Sequence, residues 1–457
     1  ARDAAGGDAA FDQVLPGTNT FVEGLDAPAL YAITDADRAD DALVALLDEY
    51  ERAYRFGFEP AEVEVAVEAA RAAYDTLYGP DGESQDWELA DLFVNRFLTG
   101  AAAPARAVMH ALITAELANV TPEALAERFA ARYTNTAPQV IISTPASQAD
   151  DVPDEAAVLA AIAGAPGRDL AAREPAGQVP ELLMERPDPV EPTEQRSMSD
   201  DGWDLFDPVE YTYPNGARVV LLPNDIARGE VYLQASSPGG LATVDPDDVV
   251  DGLFAAEVMG ASGAAGLGPA DLAQVLSRYD VELEPDLNTY YEGWWGRAAS
   301  TDVEQLLALV HARMTAAEPD PVILRQTIQR YQPIVDDPST DPDLAGTDAL
   351  NAARYGDSPY YDVLPDPEEF ATLDADGIGR VWRDRYGDAS DFVFVLAGDF
   401  DRDEVRGLAD AYVGTLPGGR GVETPSDVTP PPPDAPVSVP VQAGAGATAY
   451  VEMLFTS

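Results

Sequence analysis

RDRYGDASDFVFVLAGDFDRDEVRGLADAYVGTLP, residues 383–417, is the stretch that decides the fold. It begins on a helix, DADGIGRVWRDRYG (374–387), that ends in Arg385-Tyr386. A short polar turn leads to DFVFVLAGDF (391–400), a compact run of aliphatic and aromatic residues that reads as a buried strand. Asp401 then stands immediately before a second helical pattern, as an N-cap. GDFDRDE (398–404) also invites a calcium reading, but it lacks the twelve-residue loop pattern and its terminal Glu. Helix, buried strand and helix in close succession predict an α/β layer.

Outward from there, residues from about 205 to 420 read as one globular region. VEYTYPNGARVVLLPND is a hairpin around Pro-Asn-Gly, and GEVYLQASSPGG is the next strand. GPADLAQVLSRYD is a helix, VELEPDLNTYYEGWWGRAAS a strand pair and DVEQLLALVHARMTA another helix. TPPPPDAPVSVP (429–440) is a stiff extended linker, and 441–457 begin a further element. Residues 1–150 open loosely and then turn helical, with Pro60 and Gly79 bracketing one helix and Thr121-Pro122 starting another. PQVIISTP (138–145) reads as a short buried strand. Residues 151–204 are rich in Pro, Asp and Glu and read as a linker with one Ala-rich helix near 155–163. Arg132-Tyr133 and Arg385-Tyr386 each end a helix that leads to an apolar run, which predicts a duplicated α/β unit.

The net charge is −55, from 82 acids against 27 bases, and every base is arginine. Such a surface repels nucleic acid and anionic membrane, so neither is expected as a partner. The acids are spread along the chain, which fits a proteome-wide bias from a salt-adapted source. Their mutual repulsion is screened by salt, so the melting temperature should rise from low to molar salt; a flat melting temperature would contradict this. Without cysteine, disulfides and thiolate sites are excluded. No apolar run is long enough for a membrane span. GASGAAGLG (260–268) is no phosphate loop, since no Lys-Ser/Thr follows and the chain has no lysine.

Four segments, in order, resemble the pitrilysin/insulinase family of inverted-zincin metalloproteases. GFEPAEVEVAVEAA (57–70) is similar to a helix of that family's second domain. YPNGARVVLLPND (213–225) is similar to its opening hairpin, and ASSPGG (235–240) to the segment before its zinc helix. Residues 383–417 resemble its helix, strand and closing helix. The resemblance implies an α+β fold of repeated α/β domains, each an antiparallel-rich sheet packed on one side by helices. It implies residues 1–150 as an N-terminally incomplete domain two, 151–204 as the inter-half linker, 205–440 as a non-catalytic domain three, and 441–457 as the start of a fourth.

The family's reaction uses zinc held by two histidines in H-x-x-E-H, with the glutamate as general base and a further glutamate downstream. VVDGLFAAEVMGASG (249–263) lies at the zinc helix, and residues 254–258 there read Phe, Ala, Ala, Glu, Val. Only Glu257 of the motif remains; Phe254 and Val258 stand at the imidazole positions and should pack inward. In YQPIVDDP (331–338), Ile334 falls near the downstream ligand position, with Asp336 and Asp337 just beyond, where a solvated turn explains them. The two histidines, His110 and His311, lie on separate apolar helices and form no i, i+4 pair. Accordingly no catalytic, substrate-binding or metal residue is assigned in this chain. Tyr290, Tyr291, Trp294 and Trp295 either contact a peptide or pack against helices.

The expectation is the non-catalytic portion of a zinc-dependent metalloendopeptidase that encloses and helps bind peptides. Its zinc would lie outside this chain, and its partners would be peptide substrates and the missing catalytic half or a catalytic partner subunit. The alternative is an inactive paralogue acting as a peptide-binding or scaffold subunit. The resemblance favours a periplasmic or secreted location, although a salt-accumulating cytoplasm also explains the acidity.

Overall fold

The computed structural model describes residues 10–11, 13–22, 25–79, 86–100, 102–132, 139–144, 148–173, 183–199, 206–356, 358–443, 451 and 453–454. The chain divides into two compact units, Ala1–Val179 and Pro180–Ser457.

The first unit opens with an antiparallel hairpin, β1 (Gln13–Val22) and β2 (Leu25–Ile33), where the sequence read as loose. Five helices follow: α1 (Ala39–Phe56), α2 (Pro60–Tyr78), α3 (Asp86–Thr99), α4 (Arg106–Leu117) and α5 (Pro122–Arg132). Their limits obey local chemistry. Gly57 ends α1 at φ +75°, a conformation that suits glycine, and the Thr121 hydroxyl accepts from the Ala124 amide at 3.2 Å.

The Ala-rich segment forms α6 (Glu155–Gly164), capped by Asp154. Arg55 donates to the carbonyls of Ala165, Pro166 and Arg168, tying the end of α6 to α1. The buried strand expected at 138–145 is not found. Residues 139–144 form no strand, and Ile141 is 89% exposed. Apolar, β-branched composition makes a strand only where another strand supplies ladder bonds, and the described part of this segment has no such neighbour. Tyr133, half of the expected repeat signature, lies outside the described residues.

The second unit is built on a seven-stranded sheet. Its strands are β3 (Glu194–Ser197), β4 (Val209–Thr212), β5 (Arg218–Pro223), β6 (Glu230–Pro238), β7 (Val281–Leu287), β8 (Tyr291–Ala299) and β9 (Val393–Gly398). Their order is β3-β4-β5-β9-β6-β8-β7; β5 and β9 run parallel, and every other pair is antiparallel. The unit's helices are α7 (Val249–Ala261), α8 (Pro269–Leu276), α9 (Val303–Thr315), α10 (Pro321–Asp336), α11 (Pro342–Tyr355), α12 (Pro367–Phe370), α13 (Ala375–Tyr386) and α14 (Arg402–Tyr412). The stretch 151–204, read as a linker, thus contributes α6 to the first unit and β3 to the second.

Alternation along the strands shows that one face of the sheet is covered. In β6, Val231, Leu233, Ala235 and Ser237 are buried while Tyr232, Gln234 and Ser236 are exposed. In β9, Phe394 and Leu396 point inward, as a half-covered antiparallel-rich sheet requires. The centre of the core is aromatic. Trp294 meets Trp382 edge-on at 5.5 Å and Tyr386 at 4.9 Å, and Trp382 stacks on Tyr386 at 4.1 Å. A fully buried aromatic of this size gains about 4–6 kcal/mol at most by leaving water.

Two of the four segments that carried the resemblance, 213–225 and 383–417, meet in this unit. Asn215, in the Pro-Asn-Gly turn, donates to the carbonyls of Val413 and Leu416 just after α14. Gly216 sits at φ +97° with Ser390 so close that a Cβ would lie 2.6 Å from its carbonyl oxygen. Asp401 caps α14 through the Glu404 amide, as its position in the sequence indicates.

Candidate functional site

The candidate site is residues 254–258 of α7, where the zinc helix of the resemblance would stand. Phe254 is 5% exposed and packs edge-on against Tyr331 and Phe370, with ring centroids 5.2 and 5.4 Å away. Val258, one turn on, is fully buried. Both ligand positions therefore face hydrocarbon, and neither side chain has a donor for a metal. Zinc does not fit the residues present here.

Glu257 is held more firmly than a margin residue needs to be. It accepts from the Tyr331 hydroxyl at 3.0 Å and the Thr327 hydroxyl at 3.2 Å, and it pairs with Arg330 at 3.1 Å. Burial, and then the Glu257 charge, push the Tyr331 phenol above its ordinary pKa. A general base needs a free oxygen directed at water; both oxygens of Glu257 are committed to α10. No local pattern marks these partners, because they lie 70 or more positions away.

The downstream positions are equally inert. Asp336 accepts from the Gln332 side chain at 2.9 Å, and Asp337 caps a short turn through the Ser339 amide at 3.2 Å. His110 bonds Asp75 at 2.6 Å in the first unit. His311 rests against Tyr412 in the second, and burial lowers its pKa. Among the described residues, no group of three or more His, Asp or Glu is placed to hold a metal ion. Among them, too, no helix is long and apolar enough to cross a membrane.

The four aromatics of β8 and its approach part company. Trp294 belongs to the core, whereas Tyr291 and Trp295 are 42% and 37% exposed on the other face. Tyr290 is occupied by bonds to residues 427–429. β8 lies between β6 and β7, so its backbone is already paired on both sides and offers no free edge to an extended peptide.

The strongly perturbed carboxylates sit elsewhere. Glu292, 2% exposed, is pushed up to about 7 by burial, against the pull of the Gly240 amide, the Ser237 hydroxyl and Arg385. Asp251, on α7, is pushed up to about 6 by burial near the start of α13.

No family model matches the chain. In sequence it is 21% identical over 216 residues to the probable zinc protease PqqL of Haemophilus influenzae, covering 47% of this chain and 23% of that one. In structure it superposes with a TM-score of 0.51 on the ferredoxin protease FusC, solved as its E83A mutant with Arabidopsis ferredoxin. That match has 15% identity and covers 90% of this chain and 45% of the other. The chain has a pitrilysin-type fold. The periplasmic protease PqqL of Escherichia coli aligns with 93% of this chain and 46% of its own, at 17% identity and a TM-score of 0.48. The chain spans less than half the length of each of these three proteins.

For this pitrilysin-type unit, Glu257 and Phe254 have structural roles that mutation separates. Glu257→Ala should cost about 1–2 kcal/mol, by leaving the Tyr331 and Thr327 hydroxyls without their acceptor. Phe254→His should cost roughly 2 kcal/mol, because a polar ring replaces a buried apolar one. Denaturant midpoints of the two variants check both values, and neither variant should alter zinc content.

Proposed function

We propose that this chain is the non-catalytic portion of a zinc-dependent metalloendopeptidase, and that it encloses peptide substrates and helps bind them. The observation that carries this reading is the combination of a pitrilysin-type fold with a zinc-helix position filled by Phe254 and Val258. In this proposal residues 1–150 act as domain two and 205–440 as a domain three without chemistry, joined by 151–204, with 441–457 leading into a fourth. The zinc and its bound water belong to a catalytic half or partner subunit bearing H-x-x-E-H, where the metal would polarise the scissile carbonyl. A periplasmic or secreted location, implied by the family resemblance, is part of the same proposal.

Complementation tests it. The chain is mixed with the H-x-x-E-H-bearing half from the same genome, and cleavage of an unfolded peptide is followed. Cleavage that requires both pieces supports the proposal. Full cleavage by the partner half alone, with no gain in kcat/KM on adding this chain, contradicts it. A genome whose corresponding half lacks H-x-x-E-H favours the scaffold alternative.

A further inference from the structure

Residues 418–430 form neither helix nor strand, yet they are fastened along the second unit. Arg420 donates to the Asp384 carbonyl at 2.9 Å, and its amide donates to Asp388 at 3.2 Å. The Gly421 amide donates to the Ser390 hydroxyl and the Glu423 amide to Asp391. The Arg385 guanidinium, 3% exposed, grips both oxygens of Glu423 at 2.6 and 3.3 Å. Further along, Tyr290 donates to Asp427 at 3.0 Å, and the Tyr361 and Thr429 hydroxyls meet at 2.7 Å. Contact stops at Pro430, and every residue from 431 to 440 is exposed.

We propose that residues 418–430 are a releasable strap, clasped by Arg385 on Glu423 and by Tyr290 and Tyr361 on Asp427 and Thr429, and that the charge state of Glu292 sets how tightly it is held. Arg385 is shared among three carboxylates: Glu423 of the strap, Asp384 at 2.8 Å and Glu292 at 3.8 Å. Ionised Glu292 draws on the same guanidinium and repels Glu423. Neutral Glu292 leaves the guanidinium to the strap. The groups facing Glu292 are Arg385 and Tyr386 from α13, Ser237 of β6, the Gly240 amide just beyond β6, and Glu423 from the strap, while Asp384 acts on it only through Arg385. Asp286 of β7 and Asp391 before β9 complete the shell through Tyr386 and Ser237. Because burial places Glu292 near 7, the exchange falls in the neutral range.

Docked, the strap fixes the exit of the chain at Pro430. Undocked, it moves that pivot back to Pro417. The exposed run 431–440 is proline-rich and extended, about 30 Å at ~3.1 Å per residue, so release greatly enlarges the volume swept by whatever follows.

Trypsin reads the strap directly, since Arg420 is the single basic residue after Arg406. On the full chain, Glu423→Gln and, separately, Asp427→Asn should speed cutting after Arg420 by about tenfold, as expected for a lost charge-assisted hydrogen bond. Glu292→Gln, which mimics the neutral acid, should slow cutting about fivefold relative to wild type near pH 8.5 and match wild type near pH 6. Cutting after Arg313, which is buried in α9, reports loss of the fold, and a variant that shows it is set aside for the other strap variant. Unchanged cutting after Arg420 in the folded strap variants overturns the strap. Equal rates for wild type and Glu292→Gln near pH 8.5 overturn the role of Glu292.

Discussion

Arg313→Leu should lower the unfolding free energy of the second unit by about 3–5 kcal/mol. The residue is 7% exposed, and its guanidinium has no carboxylate partner among the described residues. Instead it donates to the carbonyls of Met259 at 2.6 Å, Gly260 at 2.8 Å, Ser262 at 2.7 Å and Gly263 at 3.1 Å. Met259 and Gly260 are in the last turn of α7, whose carbonyls lack intrahelical partners, and Ser262 and Gly263 follow directly; a cation there also meets the negative end of the helix dipole. Burial pulls the Arg313 pKa down to about 10, so the group is still charged at neutral pH. Leucine would leave the carbonyls at the end of α7 buried and unbonded. Lysine should recover only part of the loss, because an ammonium cannot span four acceptors as a planar fork does. Denaturant titration at neutral pH measures both; a loss under about 1 kcal/mol for leucine would show that water replaces the arginine.

Stability should fall as pH rises from about 5 to 8, the reverse of what a carboxylate in a salt bridge produces. Glu292 and Asp251 have folded pKa values near 7 and 6, above their ordinary 4.5 and 3.8. The folded chain therefore holds these protons more tightly than the unfolded chain. The resulting stabilisation is complete below the ordinary values and is lost as pH climbs through 6 and then 7. Glu292 accounts for on the order of 3 kcal/mol. Asp251, more open to solvent screening, accounts for about 1–2 kcal/mol. Asp302 and Asp410 are also raised by burial and act in the same direction. Glu304 opposes them, because Arg186 holds it below the ordinary range, and its contribution disappears only in stronger acid. Denaturant midpoints across this range test the sign. Glu292→Gln should be more stable than wild type at pH 8 and should flatten the upper part of the curve; stability that rises towards pH 8 would contradict the assignment.

What the sequence disclosed was local. The Asp401 cap and the Pro-Asn-Gly hairpin depend on neighbours a few residues away, and each forms where the pattern places it. The run 393–398 was marked by its own apolar composition, and the distant strands β5 and β6 supply the ladder that completes it. Phe254 and Val258 were legible because helical spacing alone puts them on one face with the rest of the apolar stripe. β3 was not, since Glu194–Ser197 is wholly polar and its strand character comes from ladder bonds to β4. The converse error was the run around Ile141, whose composition suits a strand that no described neighbour completes. At the site, the partners of Glu257 and the four carbonyls of Arg313 come from distant segments, so no periodicity marks them. Arg385-Tyr386 lay between these cases. The pair could be noticed as a repeated dipeptide, but its roles, one clasping Glu423 and the other filling the core beside Trp294, emerge only from packing.

The central claim is that the chemistry lies outside these residues. Its most direct test is hydrolysis of an unstructured peptide by the purified chain in molar salt, with zinc supplied and then with a zinc chelator. The expected result is no cleavage above buffer in either case, and the same for Glu257→Ala. Peptide cleavage that follows the chain, stops with the chelator and is lost in Glu257→Ala would contradict the claim.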